Sequence, residues 1–143
     1  MTETGKIRIL IADDFKILRD VIRLHLERAE DMDVIGESPD LNDALERTKT
    51  LQPDVIVMNY DLPPLDSAHA AALFREQGIN TAILTISMNV ASDLIHLSFH
   101  NGVNGFMHKD EIDELLVDAI RRIHGGERYL SPRALEATGS MPN

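Results

Sequence analysis

The chain has 143 residues, with 24 acidic against 14 basic side chains, no Cys, no Trp and 43% hydrophobic residues. This length suits one compact domain, since a chain of ~150 residues buries roughly 68–70% of its unfolded surface without covalent help. The absence of cysteine excludes a disulfide framework, a thiol nucleophile and a thiolate metal site, and the formal net charge of −10 opposes a nucleic-acid footprint, which needs a basic patch.

The first apolar run, Ile9 to Ala12, predicts a strand and is followed at once by Asp13 and Asp14. A helix is expected from about Lys16 to Ala29, with Ile17, Leu18, Val21, Ile22 and Leu26 on one stripe. Val34 to Gly36 reads as a short edge strand, and Ala44, Leu45 and Leu51 mark a second helix ending before Pro53. Val55 to Met58 predicts the third strand, with Asn59 and Asp61 just beyond it. A helix over Ala68 to Glu76 leads to a strand over Ala82 to Ile86, after which comes Ser87. Ala91 to Phe99 reads as a helix, Val103 to Met107 as the fifth strand, and Lys109 follows it. Ile112, Leu115, Leu116, Ala119, Ile120 and Ile123 make an amphipathic helix stopped by Gly125-Gly126. Beyond it, Glu127 to Asn143 loses periodicity and gains Ser, Pro and Gly, as in an exposed linker or frayed end. No secretory signal or ~20-residue apolar span is read in the chain, so a cytoplasmic protein with no membrane partner is expected.

Alternating strand and helix patterns imply parallel strands joined by right-handed crossovers, hence a three-layer α/β domain. Nearly continuous apolar strands suit a sheet covered on both faces. In such sheets the working crevice lies beyond the carboxyl ends of the strands. There the chain places Asp13, Asp14, Asn59, Asp61, Ser87 and Lys109. Clustered carboxylates call for a cation, and hard oxygen donors suit Mg²⁺. A hydroxyl and an ammonium opposite that ion would hold the other oxygens of a phosphoryl group. Singly, each residue has a plainer role: Asp14 as a helix cap, Ser87 as a loop hydroxyl, Lys109 as a solvated charge.

Taken together, the acidic pair in LIADDF, the segment PDVIVMNYDLPPLD, the hydroxyl in ILTISM, the lysine in GFMHKD and the ending AIRRIHGGERYLSP resemble the receiver domain of bacterial two-component response regulators, NarL/FixJ branch. The resemblance spans about Lys6 to Pro132. It implies a flavodoxin-like (CheY-like) three-layer sandwich with a five-stranded parallel sheet of order 2-1-3-4-5, a receiver over residues 6–125 and a linker or tail over residues 126–143. It also implies that Asp13 and Asp14 bind the metal, Asp14 directly, that Asp61 lends its backbone carbonyl, and that Ser87 and Lys109 contact the phosphoryl group. Phe106 matches the aromatic switch and Pro63 the loop proline.

One position departs from the family pattern. The resemblance implies an aspartyl phosphoacceptor at the end of the third strand, and this chain has Asn59 there. An amide is a poor nucleophile and cannot form an acyl phosphate, so aspartyl phosphorylation at this position is expected to be absent. The lost charge weakens Mg²⁺ binding, unless Asp61 turns into the crevice rather than facing solvent. A natural loss and an introduced Asp-to-Asn exchange would both give this residue. Ser67 is expected to cap the third helix, and His96 and His100 read as surface histidines.

The branch resembled normally continues into a helix-turn-helix domain, and the eleven residues after Pro132 are too few for one. Expected partners are therefore a sensor histidine kinase or another signalling protein, with a homodimer as a further option and no nucleic acid through this chain. No enzymatic turnover is expected. A flavodoxin-like ligand-binding or electron-transfer module is the alternative, but two carboxylates after the first strand oppose a flavin phosphate, and few aromatics are present to sandwich its ring. A magnesium-dependent aspartyl phosphatase is disfavoured because its Asp-x-Asp signature is missing.

Overall fold

A computed structural model describes residues 5–143. Six parallel strands form one sheet in the order β2-β1-β3-β6-β7-β8. They are β1 (Ile7–Ala12), β2 (Met32–Ser38), β3 (Val55–Asn59), β6 (Ala82–Ser87), β7 (Gly105–His108) and β8 (Tyr129–Leu130). A two-residue hairpin, β4 (Asp61–Leu62) with β5 (Leu65–Asp66), lies between β3 and the third helix. The helices are α1 (Lys16–Glu27), α2 (Leu41–Leu51), α3 (Ser67–Glu76), α4 (Ser92–His100), α5 (Ile112–His124) and α6 (Pro132–Thr138), with a 3₁₀ turn over Lys109–Glu111.

The expected five-strand order is present, and β8 extends it by one edge strand. Period-two alternation divides the core into two apolar layers. Ile9, Ile11, Val55, Val57, Leu84 and Met107 face Leu18, Ile22 and Leu26 of α1 and Leu116, Ile120 and Ile123 of α5. Leu10, Ala12, Ile56, Met58 and Ile83 face Leu41 and Ala44 of α2 and Ala70, Ala71 and Phe74 of α3. Gly105 is needed where α5 crosses the sheet, because a Cβ there would collide with the Ile123 side chain. Arg75 pins the opposite end, donating to the carbonyls of Gly102, Ile79 and Thr81 and to Asn104 Oδ1.

Three local expectations change. The segment after α5 is no frayed linker: β8 pairs with β7, and α6 packs Ala134 into a third cluster with Ile95, Phe99 and Phe106. Pattern reading missed it because a two-residue strand and a seven-residue helix are too short to show a period. Asp66, not Ser67, caps α3 by accepting from His69 N, while Ser67 is buried with its Oγ 2.8 Å from Thr85 Oγ1. The stripe expected on α1 divides: Leu18, Ile22 and Leu26 are buried, whereas Ile17 is 79% exposed and Val21 38%. Ile17 sits about 100° around the helix from Leu18, which turns it out of the sheet-facing stripe.

Candidate functional site

Pairing register brings the site residues together. Ala12 is level with Met58, Asn59 with Ile86, and Ser87 with His108. Four strands thus end along one edge, and the residues that finish or follow them, Asp13, Asn59, Ser87 and Lys109, share one rim. All-parallel strands terminate on the same side, which is the reason a single crevice collects residues from distant parts of the chain.

Asp13 is 1% exposed; its Oδ1 accepts the Phe15 amide at 2.8 Å and its Oδ2 has no hydrogen-bond partner. Burial pushes this carboxyl up to about 6, with the Asp14 charge adding to the rise; the Phe15 hydrogen bond, Arg19 and Lys109 act against it. Asp14 is exposed and caps nothing: Phe15 is the N-cap of α1, and no side chain caps that helix. Asn59 is half-buried and donates its Nδ2–H to the backbone carbonyl of Asp61 at 2.9 Å. Ser87 Oγ donates to the Asn89 carbonyl at 2.8 Å and accepts the Asn89 amide at 2.9 Å, so its hydroxyl is engaged with the loop after β6. Lys109 is exposed; its carbonyl accepts from Ile112 N, and its ammonium makes no hydrogen bond or ion pair among the described residues. Asp61 is exposed.

The crevice holds about 310 Å³ and is lined by Asn59, Asp61, Ser87 and Lys109 together with Phe15, Leu18, Met88 and Leu94. Asp13 and Asp14 are not among its lining residues. A larger groove of about 660 Å³ between α1 and the start of α5 shares Phe15, Leu18 and Lys109 with it.

Among the described residues no three His, Cys, Asp or Glu side chains gather to hold a metal. The Asp61 carbonyl, an oxygen the resemblance assigns to the ion, faces an N–H donor instead. The Asn59 amide thus uses one of the two lone pairs of that carbonyl.

Phe106 is fully buried, and its ring lies 6.4 Å from that of Tyr60, the residue after Asn59. Tyr60, Leu130 and Met141 pack on the same cluster as Phe106 and Ala134. A polar latch joins α6 to the loop carrying Lys109. Arg133 Nη1 lies 3.2 Å from Asp110 Oδ2, and the Glu111 carboxylate accepts from both Arg133 N and His108 N. Ser131 Oγ caps α6 by accepting from Ala134 N and also accepts from His108 N at 3.4 Å. The sequence held one signal for this latch, a Ser-Pro-Arg helix start, and the distance in sequence between Asp110 and Arg133 hid their pairing.

A fold of this order with its crevice at the strand ends defines a receiver-type α/β domain. The model of the response regulator receiver domain family matches residues 9–121, and the chain belongs to that family, with relatives in its NarL/LuxR branch. It is 30% identical over 127 residues to the oxygen regulatory protein NreC of Staphylococcus carnosus, covering 88% of this chain and 58% of that protein. It is 29% identical over 137 residues to the transcriptional regulatory protein MctR of Rhizobium johnstonii, covering 96% of this chain and 64% of that one. The chain thus spans about three fifths of the length of these curated relatives. Among solved structures it resembles a LuxR-family response regulator from Aurantimonas, with TM-score 0.88, 29% identity, and 94% of this chain and 96% of that chain covered. The receiver domain of the NarL protein of Mycobacterium tuberculosis superposes with TM-score 0.74 at 30% identity, covering 82% of this chain and 98% of that chain.

Proposed function

We propose that this receiver signals without aspartyl phosphorylation, its conformation being set by the partners it contacts. The observation that carries this reading is Asn59 at the acceptor position, with its amide donated to the Asp61 carbonyl. The attacking carboxylate is missing, and the residue in its place is already hydrogen-bonded. Mg²⁺ binds more weakly than in a receiver with aspartate here, because Asn59 keeps an oxygen acceptor but carries no charge.

Signals leave through protein contacts, with a sensor histidine kinase, another signalling protein or a second copy as partner, or through a helix-turn-helix domain outside residues 1–143. The segment β8–α6 is the element that transmits them: it touches the crevice through Tyr60 and Phe106, and the Lys109 loop through Arg133. Any ligand or partner that prefers one arrangement of Phe106 and α6 shifts the population by its differential affinity for the two. The chain turns over no diffusible substrate.

Hydrogen exchange of α6 and the sedimentation coefficient, each measured with and without acetyl phosphate and Mg²⁺, test the reading. Both stay unchanged in this chain, and at least one changes in the Asn59→Asp variant. A response of the unaltered chain would overturn it.

A further inference from the structure

The walls of the crevice do not match a site reserved for a small hydrated ion. Phe15 is 65% exposed and Met88 66% exposed, and both line the crevice together with Asn59 and Lys109. Leu18 and Leu94 add to its apolar lining, beside the polar Asn59, Asp61, Ser87 and Lys109. Apolar walls around a few convergent polar groups, with a volume near 310 Å³, are the hallmarks of a small-ligand pocket, for which about 300 Å³ is the usual lower bound. The pocket shares Phe15, Leu18 and Lys109 with the groove lined by Ile17, Val21 and Ile112, an adjoining apolar surface for a longer body.

Charge selects the ligand. Lys109 belongs to both cavities, and its ammonium, though it acts on Asp13 through space, has no hydrogen-bond or ion-pair partner among the described residues. Its acidic neighbours in the groove are engaged: Asp110 lies 3.2 Å from Arg133, and Asp113 lies 2.8 Å from His25. Asn59 uses one N–H on Asp61 and its amide carries a second. The opposing charges are Asp61 in the crevice and the Asp13 carboxyl, on which Lys109 acts and which lines neither cavity; an anionic head therefore belongs on the exposed Lys109 ammonium, on the side away from Asp61.

We infer that the crevice seats a small amphipathic carboxylate, its head on Lys109 and its apolar body against Phe15, Leu18 and Met88. This rests on the reading that the crevice no longer performs phosphoryl chemistry. The ligand would then bias the Phe106–α6 equilibrium by direct occupancy.

Amide chemical shifts of the full chain, titrated with butanoate, hexanoate and octanoate, provide the test, with octylammonium and inorganic phosphate as separate arms. Saturable shifts at Phe15, Asn59 and Lys109 are expected with the carboxylates, tightening roughly fourfold per buried methylene. Lys109→Gln weakens octanoate binding by roughly tenfold or more, the range of a charge-assisted hydrogen bond. Phe15→Ser flattens the chain-length dependence. Both residues are exposed, so the variants keep the fold. Absence of saturation by octanoate, equal binding of octylammonium, or equal binding of phosphate without any chain-length effect would each overturn the inference. Intact mass after acetyl phosphate treatment separates the two failures: a phosphorylated chain refutes the underlying reading, whereas an unmodified chain that binds no carboxylate refutes this inference alone.

Discussion

Replacing Asp13 by Asn should stabilise this protein, and the gain should depend on pH in a defined direction. Asp13 is 1% exposed and leaves Oδ2 without a partner, so its ionised form is held in a poor environment. Its folded-state pKa of about 6 lies above the unfolded value of 3.8. Below pH 3.8 both states carry the proton and the group contributes nothing. As pH rises through the interval to about 6, only the unfolded state releases its proton, so stability falls, and above that interval the whole penalty is present. At roughly 1.4 kcal/mol per pH unit, the penalty is about 3 kcal/mol. Asn keeps the oxygen that accepts the Phe15 amide and removes the charge. Urea unfolding followed by circular dichroism, in metal-free buffer across the acid-to-neutral range, should show the variant more stable by up to about 3 kcal/mol at neutral pH. The corresponding rise in Tm is about 6–12 °C for a domain of this size. The advantage should vanish near the unfolded pKa. No gain at neutral pH, or a gain of the same size in acid, would refute the assignment of a buried, poorly solvated carboxylate.

Arg75→Ala should cost about 2–5 kcal/mol in the same denaturation assay, because it strips the carbonyls of Gly102, Ile79 and Thr81 of a charged donor; a loss below about 1 kcal/mol would show that solvent replaces it. Gly105→Ala should cost about 1–3 kcal/mol by pushing Ile123 away from the sheet, read as a lower urea midpoint with an unchanged slope. Arg133→Ala should speed amide exchange in α6 while leaving exchange in β1 and β3 unchanged, since the latch to Asp110 holds only the C-terminal segment. Mg²⁺ titration should move the amides of Asp14 and Asp61 in Asn59→Asp at lower concentration than in the unaltered chain; equal response would show that the Asn59 amide does not block the Asp61 carbonyl.

The crevice was legible in the sequence for a specific physical reason. Parallel strands buried on both faces read as unbroken apolar runs, so the runs at Ile9, Val55 and Ala82 located the strand ends, and the polar residues after them were the candidates. The pairing register then placed Asp13, Asn59, Ser87 and Lys109 on one rim. Properties set by three-dimensional neighbours were not legible. That the Asn59 amide reaches Asp61, that Ser87 turns to Asn89, and that Asp13 lies buried behind the crevice depend on loop conformation rather than spacing. The segment after α5 was misread because its stability comes from tertiary packing of Ala134 and Leu130 on Phe106, and its own pattern is too short to declare it. The divided stripe of α1 was misread because Ile17 and Val21 are apolar without being buried, and composition alone does not say which of two adjacent helical faces meets the sheet.

The most direct test of the central claim is intact-protein mass after incubation with acetyl phosphate and Mg²⁺, with the Asn59→Asp variant beside the unaltered chain. The account predicts no added phosphoryl group on the unaltered chain and one on the variant. A phosphoryl group on the unaltered chain would contradict the account and move the chemistry to Asp13, Asp14 or Asp61.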